Sequence, residues 1–139
     1  MEEVIQKIHQ INEKLSDEGL LKSLNGDQLS YIAVKVAALK GYLIEEKALA
    51  QENMLYLEVE KDKVKGEAYL RAKEAHNATA ASDAKYTDEE FVKAQHEYVE
   101  AKAAFERLKM VSTDAHDLID AIKSRVIDLQ GARRDERLG

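Results

Sequence analysis

The sequence predicts an all-α fold in which a short N-terminal helix precedes a long, coiled-coil-like antiparallel helical hairpin. Three observations predict it. Apolar residues recur at steps of three and four along most of the chain, which is the period of a helix. The 139 residues include no proline and only 6 glycines, so few residues would interrupt a helix. With 45% hydrophobic and 35% charged residues, the chain is too apolar to be disordered, and it lacks the turn residues of β-sandwiches.

The first helix is predicted at about residues 2–16, where apolar residues fall on one helical face. That face consists of Val4, Ile8, Ile11 and Leu15. Residues 17–27 contain the Asp, Gly and Asn residues that are typical of turns, so we expect a loose connection or a short helical turn there. Asp27 is the predicted N-cap of the next helix.

A long second helix is predicted at about residues 28–75, because only Gly41 and Gly66 weaken the helical pattern there. At about 1.5 Å per residue it would measure roughly 70 Å. The small polar residues that follow predict a short tip. Thr87 and Glu90 then form a capping box, in which each side chain satisfies a free amide of the other residue, and this box starts another helix.

The third helix is predicted at about residues 88–130, and its apolar residues alternate steps of three and four, which is a heptad seam. The seam consists of Phe91, Ala94, Tyr98, Ala101, Phe105, Leu108, Ser112, Ala115, Ile119, Ile122, Val126 and Leu129. The register continues through Ser112, so one helix with a kink at most is favoured over two. The tail, residues 131–139, has no apolar face and is expected to fray.

Two long helices joined by a short tip should fold back on each other as an antiparallel hairpin. A second stripe on the first long helix, formed by Tyr42, Leu49 and Tyr56, repeats every seven residues and cannot face the same seam. The short first helix covers only one end of such a hairpin. We therefore expect a single all-helical domain, residues 1–139, that is completed by association with itself, as a homodimer or a higher oligomer.

Composition excludes several classes of protein. The absence of cysteine excludes disulfides, thiolate metal sites and cysteine nucleophiles. No apolar run is long enough to cross a bilayer, and the acidic start is unlike a signal peptide, so we expect a cytoplasmic protein with no membrane partner. The net charge of -6 disfavours broad, non-specific binding of nucleic acid.

Motifs for catalysis and metal binding are also missing. No glycine-rich phosphate loop occurs, and none of the four histidines follows a glutamate by three residues, as a di-iron helix bundle requires. His96 with Glu100 and His116 with Asp120 could each share a metal ion across one helical turn. No third ligand is identifiable, so exposed polar pairs are the favoured interpretation. We predict no enzyme, no catalytic residues, no cofactor and no metal.

Arginine clusters only near the C-terminal end, where Arg133, Arg134 and Arg137 are candidate contacts for nucleic acid. The competing interpretation is that these cations complement the dipole of a helix end. Carboxylates crowd the predicted hairpin tip, around Asp83 and Asp88, and most of them are explained by helix capping. An acidic helix face could instead bind a host DNA-processing enzyme as an inhibitor.

Besides the predicted short helix and hairpin, the sequence contains two helical phrases, Gly66-Glu67-Ala68-Tyr69-Leu70-Arg71-Ala72-Lys73 and Leu118-Ile119-Asp120-Ala121-Ile122-Lys123-Ser124-Arg125-Val126. In these features it resembles small helical proteins of tailed bacteriophages. The resemblance implies a phage accessory protein in the host cytoplasm and carries over no catalytic residue. The leading hypothesis is a non-enzymatic interaction or scaffold protein that acts as a homo-oligomer and contacts a host or phage protein. The alternative is an accessory or inhibitor in DNA replication or recombination.

Overall fold

Helices make up most of the part of the chain that the computed structural model describes, residues 1–75 and 77–138. In chain order the helices are α1 Glu2–Leu15, α2 Glu18–Ser23, α3 Gly26–Ala75, α4 Ala78–Ala84 and α5 Glu89–Leu138, with a 3-10 turn, Lys85–Thr87, before α5. These described residues contain no strand. The all-α class and the hairpin of two long helices are therefore confirmed. His76 and Gly139 lie outside the described residues.

The start of α3 differs from the prediction by two residues. The Gln28 amide donates to Asn25 Oδ1 at 2.8 Å, and the Asn25 amide donates to Gln28 Oε1 at 3.0 Å. This reciprocal pair is a capping box. Asn25, rather than Asp27, therefore caps the helix. The box satisfies the backbone amides of both Asn25 and Gln28.

The predicted polar tip contains the additional short helix α4, which begins where Asn77 Oδ1 accepts a hydrogen bond from the Ala80 amide at 2.8 Å. The predicted cap of the following helix is also wrong by one residue. Asp88, rather than Thr87, accepts from the amides of Glu90 and Phe91, at 3.0 and 3.1 Å. Thr87 instead donates its hydroxyl hydrogen to the Ala84 carbonyl and closes the 3-10 turn.

The end of α5 was predicted near residue 130 with a frayed tail, but the helix continues to Leu138. It also passes through Ser112 without interruption, as predicted. Gly131 lies within the helix, and no glycine among the described residues adopts a positive φ angle. The residues after Gly131 are mostly good helix formers, including three arginines, and their intrinsic preference extends the helix beyond its apolar face.

The described chain groups into two compact units that share both long helices. The terminal unit comprises Met1–Glu46 and the chain from Leu108 onward, and the central unit comprises Lys47–Arg107. The terminal unit has the larger core. All of the largest fully buried side chains belong to it: Ile8, Leu29, Val36, Leu43 and Ile122.

In the terminal unit, which contains α1, α2 and parts of α3 and α5, α1 lies on a second face of α5. Val111 and Leu118 are buried although they lie outside the predicted seam, and they are seven residues apart. Leu118 lines a cavity together with Asn12 and Leu15, at the end of α1. All twelve predicted seam positions of α5 are buried or half-buried, so the seam itself was predicted correctly.

The central unit has a thinner core and many polar contacts at its surface. Among the described residues of this unit, only small side chains and one ring are buried: Ala68, Ala81, Phe91 and Ala101. The Tyr86 ring meets the Phe91 ring edge to face, with 6.0 Å between centroids. The Lys61 ammonium lies 4.5 Å from the centroid of the Tyr98 ring, which is a cation–π contact between α3 and α5.

Candidate interaction surfaces

The predicted stripe of α3, Tyr42, Leu49 and Tyr56, is exposed at each position. Tyr42, in the terminal unit, is 47% exposed, whereas Leu49 and Tyr56, in the central unit, are 60% and 62% exposed. The three residues occupy the same heptad position of one continuous helix. Large apolar side chains that leave this much surface in water are typical of surfaces that bind other proteins.

A second apolar surface, which sequence reasoning missed, is a groove between α3 and α5 in the terminal unit. It consists of two adjoining cavities of about 490 and 410 Å³ that share Ala33, Val34 and Lys123. The remaining residues that line this groove are Ser30, Ala37, Lys40, Gly41, Ile44, His116, Ile119, Asp120, Ile122, Val126 and Ile127. Val34 and Ile127 are 69% and 65% exposed, so the groove is open to solvent.

Small residues line the groove along α3. Ala33, Ala37 and Gly41 follow one another at intervals of four and therefore share one helical face. A Cβ atom at Gly41 would meet nothing within 4 Å. The sequence contains this spacing, but small residues at helical spacing also occur inside tightly packed helix pairs. Only the placement of α1 on the other side of the hairpin identifies this face as the open one.

A polar cluster closes one end of the groove. Lys40 Nζ lies 2.9 Å from His116 Nδ1, and His116 Nε2 lies 3.2 Å from Asp120 Oδ2. Since an ammonium group can only donate, Nδ1 accepts the hydrogen bond and Nε2 carries the imidazole hydrogen that is donated to Asp120. The structure thus confirms the predicted pairing of His116 with Asp120 on the surface.

The other histidine pair that could share a metal ion is also a surface pair. His96 Nε2 lies 3.0 Å from Glu100 Oε1, and both side chains are about 70% exposed. Within residues 1–75 and 77–138, no group of three or more His, Asp and Glu side chains is placed to hold a metal ion.

The predicted basic cluster lies on the last turns of α5. Because successive residues are about 100° apart around a helix, Arg133, Arg134 and Arg137 fall within one sector of about 100°. Asp135 and Glu136 point to other sides. None of the three arginines forms an ion pair with a residue that the structure describes.

An ionic contact joins α3 to the cap of α5 within the central unit. Arg71 Nη2 lies 3.0 Å from both oxygens of Asp88 and 3.3 Å from Glu90 Oε2. The hydrogen bond from Arg71, followed by that from the Phe91 amide, lowers the pKa of Asp88. The same bond to Asp88 raises the pKa of Arg71. This ion pair connects the N-terminal cap of α5 to the C-terminal part of α3.

Comparison of the chain with protein-family models, with curated proteins and with solved structures gave no match. Among the described helices, none has a stretch long and apolar enough to span a membrane.

Proposed function

We propose that this protein is a non-enzymatic helical interaction protein that acts as a homo-oligomer, with the α3 stripe as its contact surface. The exposure of Tyr42, Leu49 and Tyr56 is the observation that carries this proposal. Tyrosine is enriched at protein interfaces because its ring buries apolar area while its hydroxyl stays hydrated. In a two-fold symmetric dimer, each copy presents this same stripe to the other.

The thin core of the central unit supports the proposal. Met54, Leu57 and Val64 of α3 are only half-buried there. A unit with little buried apolar surface gains stability when a second copy covers more of it. On the resemblance alone, we extend the proposal to a phage-type accessory protein in the cytoplasm of its host, with a host or phage protein as a further partner.

The absolute mass in solution tests self-association. Light scattering across a concentration series should give a mass of at least twice 15.7 kDa for the unaltered protein. The mass should persist at high salt, because apolar contacts are not screened. Combined substitution of Tyr42→Glu, Leu49→Glu and Tyr56→Glu should reduce the mass to that of one chain and leave the helical circular dichroism unchanged.

A matched variant controls for added negative charge. Gln51→Glu, Asn53→Glu and Lys63→Gln change the net charge of α3 by the same amount at exposed polar positions, so this variant should retain the mass of the unaltered protein. An unaltered protein that is monomeric at every concentration contradicts self-association. An unchanged mass in the stripe variant contradicts this particular interface.

A second candidate function is contact with nucleic acid through the end of α5. The helical continuation to Leu138 favours it, because the helix gathers Arg133, Arg134 and Arg137 in one sector and directs Asp135 and Glu136 elsewhere. A row of unpaired guanidinium groups on one helical face fits a phosphate backbone.

The salt dependence of DNA binding tests this candidate. If the three arginines each contact a phosphate, their replacement by glutamine should reduce the slope of log K against log salt by about 2–3. The control variant Lys63→Gln, Lys93→Gln, Lys102→Gln removes three exposed cations of the central unit and should leave the slope unchanged. Binding with no salt dependence, or a slope that the arginine variant does not alter, argues against this function.

A further inference from the structure

A small apolar pocket lies in the terminal unit where α1, α2 and the start of α3 meet. It has a volume of about 260 Å³. Apolar side chains from all three elements line it: Ile11, Leu15, Leu20, Leu24, Tyr31 and Ile32. Next to the pocket, α2 ends at Ser23, Leu24 is extended, and the chain then turns into α3. An apolar concavity with few polar groups is the usual form of a small-molecule site.

Two lysines are the only charged residues that line this pocket. Lys14 is on α1, Lys35 is on α3, and both are exposed. Neither forms an ion pair or a hydrogen bond with another residue that the structure describes. A lysine stem can lie along apolar surface while its ammonium group stays in water. The pocket of a chain with a net charge of -6 therefore has a positive mouth.

The chemistry of the pocket defines its ligand class. We propose that the pocket binds a single-chain anionic amphiphile, such as a free medium-chain carboxylate, with its tail against Leu20, Leu24 and Ile32 and its headgroup between Lys14 and Lys35. The volume is below the range of roughly 300–1,000 Å³ that drug-sized ligands occupy, which suits one slender chain. Asp27 lines the neighbouring shallow cavity and would repel the headgroup there, so the headgroup is directed to the lysine side.

Binding to this pocket does not require the α3 stripe, so the proposal goes beyond self-association and can fail independently of it. The groove between α3 and α5 is the other apolar surface of the terminal unit that could adsorb an amphiphile. Its residues Val34 and Ile127 therefore serve as internal controls. A bilayer lipid could present the same anionic chemistry as a free carboxylate, so the test includes vesicles.

Calorimetry and methyl NMR test the proposal with octanoate, decanoate and dodecanoate below their critical micelle concentrations. Affinity should rise about fourfold for each methylene until the pocket is filled. Decanol and decyltrimethylammonium should bind about tenfold more weakly than decanoate, because they lack the negative headgroup. Methyl signals of Leu20, Leu24 and Ile32 should shift on addition of decanoate, while those of Val34 and Ile127 should not.

Variants separate the pocket from general adsorption. Lys14→Gln with Lys35→Gln should weaken decanoate binding about tenfold and leave decanol binding unchanged. Lys22→Gln is the matched control, since Lys22 is an exposed lysine of α2 that does not line the pocket, and Val34→Ser is the control for the groove. Circular dichroism establishes that each variant is folded. Leu20→Trp, at a partly exposed position, should block the pocket without charge change.

Several outcomes overturn the proposal. They are an absence of binding, equal affinities for decanoate and decanol, shifts confined to the groove, and decanoate binding that the double lysine variant does not change. Lysine-dependent sedimentation with phosphatidylglycerol vesicles, without binding of free decanoate, would assign the site to a membrane surface and contradict a free ligand.

Discussion

Leu43→Ala is expected to reduce the free energy of unfolding by about 2–5 kcal/mol. Leu43 is fully buried on α3 in the terminal unit, and its removal leaves a cavity that the surrounding side chains can fill only in part. Urea unfolding followed by circular dichroism measures the change. The slope against denaturant should stay the same, because the substitution alters stability and not the surface exposed on unfolding.

A leucine on the same helix provides the control. Leu70 is 60% exposed, so Leu70→Ala should change the free energy of unfolding by no more than about 0.5 kcal/mol. Equal effects at the two positions would contradict the assignment of Leu43 to the core.

The second large effect is expected at Asp88, which caps α5 and holds Arg71. Asp88→Ala should lower the melting temperature at neutral pH by several degrees, because it removes two backbone hydrogen bonds and a bidentate ion pair together. Asp83 is an exposed carboxylate of the same tip with none of these contacts, so Asp83→Ala should change the melting temperature little.

The contribution of Asp88 should also depend on pH. Because folding lowers its pKa, its stabilising effect is complete above the ordinary carboxyl pKa and is lost as the pH falls through the lowered value. Asn is also a good N-cap but does not ionise, so Asp88→Asn separates charge from capping. The difference in melting temperature between Asp88→Asn and the unaltered protein should shrink on acidification. A difference that stays constant down to strongly acidic pH would contradict the ion pair.

Periodicity predicted the helical faces well and their ends less well. The α5 seam follows from spacing alone, because an apolar residue at every third or fourth position has one side on which to be buried. The caps were wrong by one or two residues. At Asn25 and Asp88, neighbouring Asp, Asn and Thr side chains compete for the same few amides, and the winner depends on side-chain geometry that a pattern does not contain.

The candidate surfaces illustrate the same limit. The exposure of Leu49 and Tyr56 agrees with the sequence pattern, because the stripe that contains them was not expected to face the α5 seam. The groove beside Gly41 and the pocket beside Leu24 could not be predicted, because both depend on where the turn after α1 directs the chain. Spacing gives the directions of side chains around one helix, whereas a concavity requires the relative placement of several elements.

Of the two units, the one whose helices meet more easily during folding is not the one with the larger core. The central unit is one continuous stretch of chain around a tip, so its helices meet after a short loop closes. The terminal unit joins segments from the two ends of the sequence, and its contacts carry a larger entropic cost unless the intervening chain is already ordered. The central unit, which costs less conformational entropy to close, thus has the thinner core. The terminal unit costs more to close, and it contains the large buried side chains that keep it folded.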